Sequence, residues 1–217
     1  MHATSTLMST DSGTSTVLMF GHPNVGKSAL FNQLTREGGI RSNYSPNASA
    51  PQGFWLELTG SAVTESNYPG TTVDYTTGKF TSNGESMDVI DVPGAFSLDP
   101  KNTTEEVAVD ILKEHPDATV ACVVDATRVE RGLSLVLEVI EHGYDVVLAV
   151  NMWDEARKQN IHIDVDHLET VFDVPVTPTT ATTGEGVKQL VESFDHARAP
   201  AIAEIRERVR ASGGSET

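Results

Sequence analysis

Gly21-His22-Pro23-Asn24-Val25-Gly26-Lys27-Ser28 fits the pattern G-x-x-x-x-G-K-[ST], and its flanks give that pattern a mechanism. Residues 17–20, Val-Leu-Met-Phe, form a short apolar run that reads as a buried strand. Ala29-Leu30-Phe31-Asn32-Gln33-Leu34 reads as the first turns of a helix. A strand, a glycine-rich turn and a helix N-terminus collect backbone N–H groups around an anion, so the stretch predicts a phosphate site. Gly21, Pro23, Asn24, Val25, Gly26, Lys27, Ser28 and Ala29 are the residues expected around the phosphates. Lys27 would reach the β- and γ-phosphates, and the Ser28 hydroxyl would ligate Mg²⁺.

Three further motifs follow in order, each after an apolar run. Asp91-Val92-Pro93-Gly94 follows Met87-Asp88-Val89-Ile90, where an aspartate that holds Mg²⁺ through water belongs. The Gly94 N–H would meet the γ-phosphate and move when it leaves. Asn151-Met152-Trp153-Asp154 follows residues 146–150, and an N-x-x-D at a strand end can read guanine. The Asp154 carboxylate would accept from the ring N–H and the exocyclic amine, with the Asn151 amide on the other edge. Thr180-Ala181-Thr182 could offer a backbone N–H to the guanine carbonyl. Adenine carries an amine there, so ATP would leave donors and acceptors mismatched.

Between the Gly21–Ser28 stretch and Asp91 lies Tyr68-Pro69-Gly70-Thr71-Thr72-Val73. Together with G-x-P-N-V-G-K-S, D-V-P-G-A-F-S-L and N-M-W-D, it resembles the GTPase domain of the FeoB family of ferrous-iron transporters. Residues 124–131, 151–161 and 175–186 are similar to that family too, and the likeness covers roughly residues 17–198 with one interruption. The resemblance implies an α/β P-loop NTPase fold, a three-layer α/β/α sandwich, and a switch protein for GTP and GDP. It makes Thr72, rather than its neighbour Thr71, the switch threonine that closes on Mg²⁺ beside Ser28 and Asp91. It also implies K⁺ as a second cation, with Asn24 as its P-loop ligand; by itself Asn24 could equally hydrogen-bond within its loop.

Catalysis is expected to rest on Lys27, Thr72, Gly94 and Asn24. In many small GTPases a glutamine after D-x-x-G orients the attacking water. Here Ala95 and Phe96 stand there, as in the resembled family, which also lacks the glutamine. Slow hydrolysis with backbone-oriented water follows. His22 departs from the family's usual asparagine. The segment 36–66 is the larger departure, since the family connection is short. It reads as an insertion carrying a small hairpin or partial disorder, or as a docking loop in which Phe54, Trp55 and Leu56 form an apolar anchor.

The pattern along the chain predicts strands at 17–20, 73–81, 86–91, 118–125, 145–150 and 174–177. Helices are expected at 27–35, 104–115, 131–142, around 153–158 and 166–172, and at 186–198. Alternation of strand and helix means a mainly parallel sheet covered on both faces, and the pair 73–91 breaks it as one antiparallel edge strand. Thr103 and Glu106 have capping-box spacing at the start of one helix. Residues 1–16, rich in Ser and Thr, read as a disordered tail, 17–199 as the GTPase domain and 200–217 as a helix and tail.

Composition narrows the partners. The chain has 31 acidic against 15 basic residues, a net charge of −16, which argues against a polyanion partner such as a nucleic acid. High salt would screen such self-repulsion, and ordinary acidic solubility explains it as well. The single cysteine, Cys122, lies in an apolar run, reads as a core residue and fits a cytoplasmic compartment. No apolar stretch is long enough to span a bilayer, so iron conduction would need a membrane-embedded partner or a missing membrane domain. His162-x-Asp164-x-Asp166-His167 offers four possible metal ligands within six residues, and a solvated acidic connection explains it equally well. The function expected is a GTP-hydrolysing switch of ferrous-iron uptake at the cytoplasmic face of the membrane. A nucleotide-gated binding module with little turnover and a ribosome- or RNA-associated GTPase are the alternatives.

Overall fold

The computed structural model describes residues 15–36, 59–82 and 84–213. In these, β1 (Ser15–Phe20) leads through the glycine-rich turn into α1 (Lys27–Leu34). Then come β2 (Thr59–Asn67), β3 (Asp74–Ser82), β4 (Glu85–Asp91), α2 (Thr103–Glu114) and β5 (Thr119–Asp125). A short 3-10 turn opens onto α3 (Val129–Glu141), followed by β6 (Asp145–Asn151), α4 (Trp153–Lys158) and α5 (Val165–Phe172). The chain closes with β7 (Val176–Pro178), α6 (Val187–Ser193) and α7 (Ile202–Gly213).

Strand alternation builds the layers. Leu18, Phe20, Val120, Cys122, Val124, Val146, Leu148 and Val150 point into one core with residues of α2, α3, α5 and α7. Their neighbours Val17, Met19, Ala121, Val123, Val147 and Ala149 point the other way, onto α1 and α6. A strand buried on both faces must be apolar at every position, which is why these strands read as continuous runs. Burying each such Val or Leu contributes about 1.5–3 kcal/mol. The result is the expected α/β/α sandwich.

The seven strands lie in the order β2-β3-β4-β1-β5-β6-β7. β4, β1, β5, β6 and β7 are mutually parallel, while β3 is antiparallel to both β4 and β2. The antiparallel edge is therefore a region rather than one strand. β2 forms from the last part of the segment read as an insertion, and residues 68–73 are the turn that joins it to β3. The anchor Phe54-Trp55-Leu56 and most of the expected tail lie outside the described residues; Ser15 and Thr16 already belong to β1.

One cap differs from the reading of the sequence. The N-cap of α2 is Asn102, whose side chain accepts from the Glu105 N–H at 3.0 Å, so the pair is Asn102 and Glu105 rather than Thr103 and Glu106. Asn102 holds the extended backbone that a cap needs, and the helix runs one residue earlier than expected, over Thr103–Glu114 instead of 104–115. Asp164 is likewise a cap, accepting from the His167 N–H at 2.9 Å to start α5.

Cys122 is buried between β1 and β6, and burial pushes its thiol up to about 12. The thiolate is the reactive form. Native protein is therefore expected to resist alkylation near pH 8 and to react fully once unfolded, as counted by mass spectrometry; rapid native labelling would contradict this burial.

Candidate nucleotide site

Five parallel strands end at one edge of the sheet, and every motif sits there. The P-loop follows β1, Asp91 ends β4, Asn151 ends β6, and Thr180 follows β7. Because β4 and β5 flank β1 and β6 follows, the loops are neighbours. Because β3 pairs Thr76 with Asp91 and runs backward, the turn carrying Thr72 projects past that same edge.

The P-loop is built to leave donors free. Gly26 ends it in a left-handed conformation (φ 89°), and α1 starts with no side-chain cap and no acidic residue in its first turn. Its first N–H groups thus have no cap or acidic side chain of their own helix competing for them, in a chain otherwise crowded with carboxylates. A Cβ at Gly26 would collide with the Asn151 amide nitrogen, so only glycine fits there. Asn24, exposed at the crest, is also left-handed (φ 64°), a conformation asparagine tolerates.

Lys27 is buried, and burial pulls its ammonium below the ordinary value against a nearby Asp91 carboxylate. Burial pushes the Asp91 carboxyl up, opposed by a hydrogen bond from Ser28 and by Lys27. Asp91 Oδ1 is buried without a hydrogen-bond partner among the described residues. A carboxylate oxygen left unpaired beside a serine hydroxyl is an all-oxygen donor set suited to Mg²⁺. No cluster of three or more His, Cys, Asp or Glu able to hold a metal occurs among the described residues.

Asn151 is 2% exposed and ties three segments together. Its Nδ2 donates to the Val25 carbonyl at 2.9 Å, and its Oδ1 accepts from the Ala181 N–H at 3.1 Å and the Thr179 hydroxyl at 3.2 Å. The expectation of an amide simply facing the base is refined: Oδ1 is spent on protein groups, and one Nδ2 proton remains. The donors of the 180–182 segment are rearranged for the same reason. Thr180 N–H bonds the Glu185 carbonyl and Ala181 N–H bonds Asn151, which leaves the exposed Thr182 as the third donor. Gln33 of α1 holds the Ala181 carbonyl at 2.7 Å.

Met152 turns the chain in a left-handed conformation (φ 62°) and places Asp154 in the first turn of α4. Lys158, 3.1 Å away, donates to its carboxylate and holds it below the usual range. Asp154 is thus an acceptor-only group at neutral pH. Thr71 is used inside its own turn, its hydroxyl donating to the Tyr68 carbonyl at 3.1 Å, whereas Thr72 is exposed at the tip.

Residues that sequence reading passed over surround the segment after Gly94. The Ala95 N–H reaches the Gly21 carbonyl at 3.3 Å, and a Cβ at Gly94 would stand 2.8 Å from the Pro23 nitrogen. Gly94→Ala is expected to push this segment off the P-loop and lower GTP turnover at least tenfold; unchanged kcat would contradict the contact. His22 packs on Phe96 with ring centroids 5.0 Å apart, and burial lowers its pKa. Glu105 accepts from Phe96 N–H (3.3 Å) and Lys101 N–H (2.8 Å), and Glu138 from Ser97 Oγ (2.9 Å) and Leu98 N–H (2.6 Å). Nothing in spacing links Glu138 to the loop, because its contacts span about 40 residues, whereas Glu105 reaches back only four and nine residues to Lys101 and Phe96.

Four loops on one sheet edge, an uncapped P-loop helix and an Asn–Asp pair tied to it define a P-loop GTPase. The profile described as ferrous iron transport protein B matches residues 46–194, and that described as 50S ribosome-binding GTPase matches residues 16–57. The chain belongs to the FeoB family, as its GTPase domain. It is 31% identical over 194 residues to the Fe(2+) transporter FeoB of Escherichia coli (strain K12), covering 88% of this chain and 22% of that one. The cytosolic domain of T. maritima FeoB in its GMPPNP form superposes with a TM-score of 0.69 at 34% identity, covering 84% of this chain and 63% of that one. The isolated G domain of T. maritima FeoB gives 0.66 at 32% identity, covering 84% and 98%. The chain thus spans about a fifth of the full-length relatives it matches.

Proposed function

We propose that this domain binds GTP and GDP and hydrolyses GTP slowly, as the nucleotide switch of ferrous-iron transport across a membrane. The observation that carries the nucleotide reading is the Asn151 tie, which sets the guanine-reading loops against the P-loop. The transport role rests on family membership. Among the described residues no helix is long and apolar enough to cross a membrane, so iron movement would fall to a membrane-embedded partner or to another part of a longer protein.

Phosphates bind at the free N–H groups of residues 24–29, with Lys27 on the β- and γ-phosphates. Asp154 accepts from the guanine ring N–H and amine, and Thr182 donates toward its carbonyl. Mg²⁺, held by Ser28, Asp91 and, on switching, Thr72, would supply charge neutralisation at the phosphates. Potassium against the exposed Asn24 amide would add a second positive charge there. Ala95 is fully buried and carries only a methyl, so the attacking water must be oriented by backbone groups near Gly94.

The test is turnover of GTP with Mg²⁺ in KCl against NaCl at equal ionic strength, with ATP as control. Faster hydrolysis in KCl with ATP inert is the expected result. Equal, negligible turnover despite tight GTP binding would favour a nucleotide-gated binding module, for which the buried Ala95 speaks.

A further inference from the structure

Glu138 stands on α3, outside every motif, yet its carboxylate reaches the segment that follows Gly94. Oε2 alone accepts two bonds, 2.9 Å from Ser97 Oγ and 2.6 Å from Leu98 N–H, and these are charge-assisted. The loop reinforces itself there, since Asp99 N–H donates to Ser97 Oγ at 3.0 Å. Glu105 holds the two flanking N–H groups, of Phe96 and Lys101, from a different helix.

Upstream, the same segment rests on the P-loop through Ala95 N–H and the Gly21 carbonyl. Gly94 and Ala95 are therefore fixed between the P-loop on one side and two helix-borne carboxylates on the other. Phe96 is the single residue between the Ala95 anchor and the Ser97–Leu98 anchor; it is 60% exposed, with its N–H held by Glu105 and its ring against His22.

A GTPase with a glutamine after its glycine carries the water-orienting group on a side chain. This chain has a buried alanine there, so orientation depends on where the backbone stands. Displacement by about 1 Å can cost about 10²-fold in rate. We propose that Glu138 is a positioning residue for GTP hydrolysis, holding Ser97 and Leu98 so that the Gly94–Ala95 backbone is set for the attacking water. This inference rests on the hydrolysis reading above. Glu138 acts through the loop, by way of Ser97 and Leu98. It is only half-buried, whereas Glu105 is 5% exposed and sits in the first turn of α2, so Glu138 can be replaced with less risk to the fold.

The experiment compares wild type, Glu138→Ala, Glu138→Gln, Ser97→Ala and the Ser97→Ala/Glu138→Ala pair. Steady-state GTP turnover, fluorescent GDP affinity and thermal melting are measured on each. Glu138→Ala is expected to lower kcat about tenfold with KM and GDP affinity within about threefold. Glu138→Gln should keep most of the rate, because an amide oxygen accepts both bonds. Ser97→Ala should lower kcat by a few fold, and the double variant should be no slower than Glu138→Ala. Wild-type or raised kcat in Glu138→Ala, equal loss in Glu138→Gln, or additive losses in the pair would each overturn the proposal. If Glu138→Ala does not fold, Ser97→Ala and Glu138→Gln decide it by the same criteria. A wild-type protein that binds GTP without turnover overturns both this inference and the hydrolysis reading; normal turnover with Glu138→Ala unaffected overturns this inference alone.

Discussion

Asp154→Asn is expected to move base preference from guanine to xanthine. The carboxylate of Asp154 is kept ionised by Lys158 and offers two acceptors side by side. Guanine presents two donors to such a group, and hydrogen bonds to a charged partner contribute about 1.5–3 kcal/mol each. Asparagine keeps one acceptor and turns the other into a donor, which meets the guanine amine head-on but suits the xanthine carbonyl. At about 1.4 kcal/mol per factor of ten, GDP affinity should fall about 10²–10⁴-fold while XDP affinity rises. Stability should hardly move, because the Asp154–Lys158 pair is a surface one of little net worth. Titration of fluorescent GDP and XDP into both proteins checks this. Unchanged selectivity would remove Asp154 from the base site.

Asn151→Ala is expected to damage affinity and stability together. Its amide satisfies the Val25 carbonyl and the Ala181 N–H in a buried position, so truncation leaves both unpaired. An orphaned buried polar group costs about 1–3 kcal/mol. A loss of about 2–5 kcal/mol follows, and at about 2–4 °C per kcal/mol for a domain of this size Tm should drop by about 5–15 °C. Nucleotide affinity should fall as well, because the P-loop and the 180–182 segment lose their common tie. Asn151→Asp is the informative companion: it keeps the acceptor toward Ala181 and loses the donor toward Val25. A variant that loses affinity at unchanged Tm would reduce Asn151 to a base contact.

Strand and helix order was legible because each parallel strand is apolar on both faces and each helix on one. Cys122, in the run 119–124, took the buried place its pattern demanded, and of the apolar α3 face Val136 and Ile140 are buried while Leu133 and Leu137 are partly buried against the same core. Two elements hid for identifiable reasons. β2 is polar along most of its length, since an edge strand needs partners only on one side and buries little; its pairing with β3 is what defines it. Helix caps depend on the backbone angle at one residue, and Asn102 displaced Thr103 by adopting the extended conformation.

By itself the sequence determined the strand, glycine-rich turn and helix of residues 17–34, the places of Asp91 and Asp154 in the chain's element order, and the layered fold. Those depend on local spacing and on periodicity, which are written residue by residue. Tertiary structure alone decided that Asn151 ties the loop after β1 to the 180–182 segment, that Ala181 N–H is already occupied, and that Glu138 holds the segment after Gly94. Those are hydrogen bonds between groups 30–126 residues apart, and only the packing of helices and loops at one sheet edge brings such groups within 3 Å or so of each other.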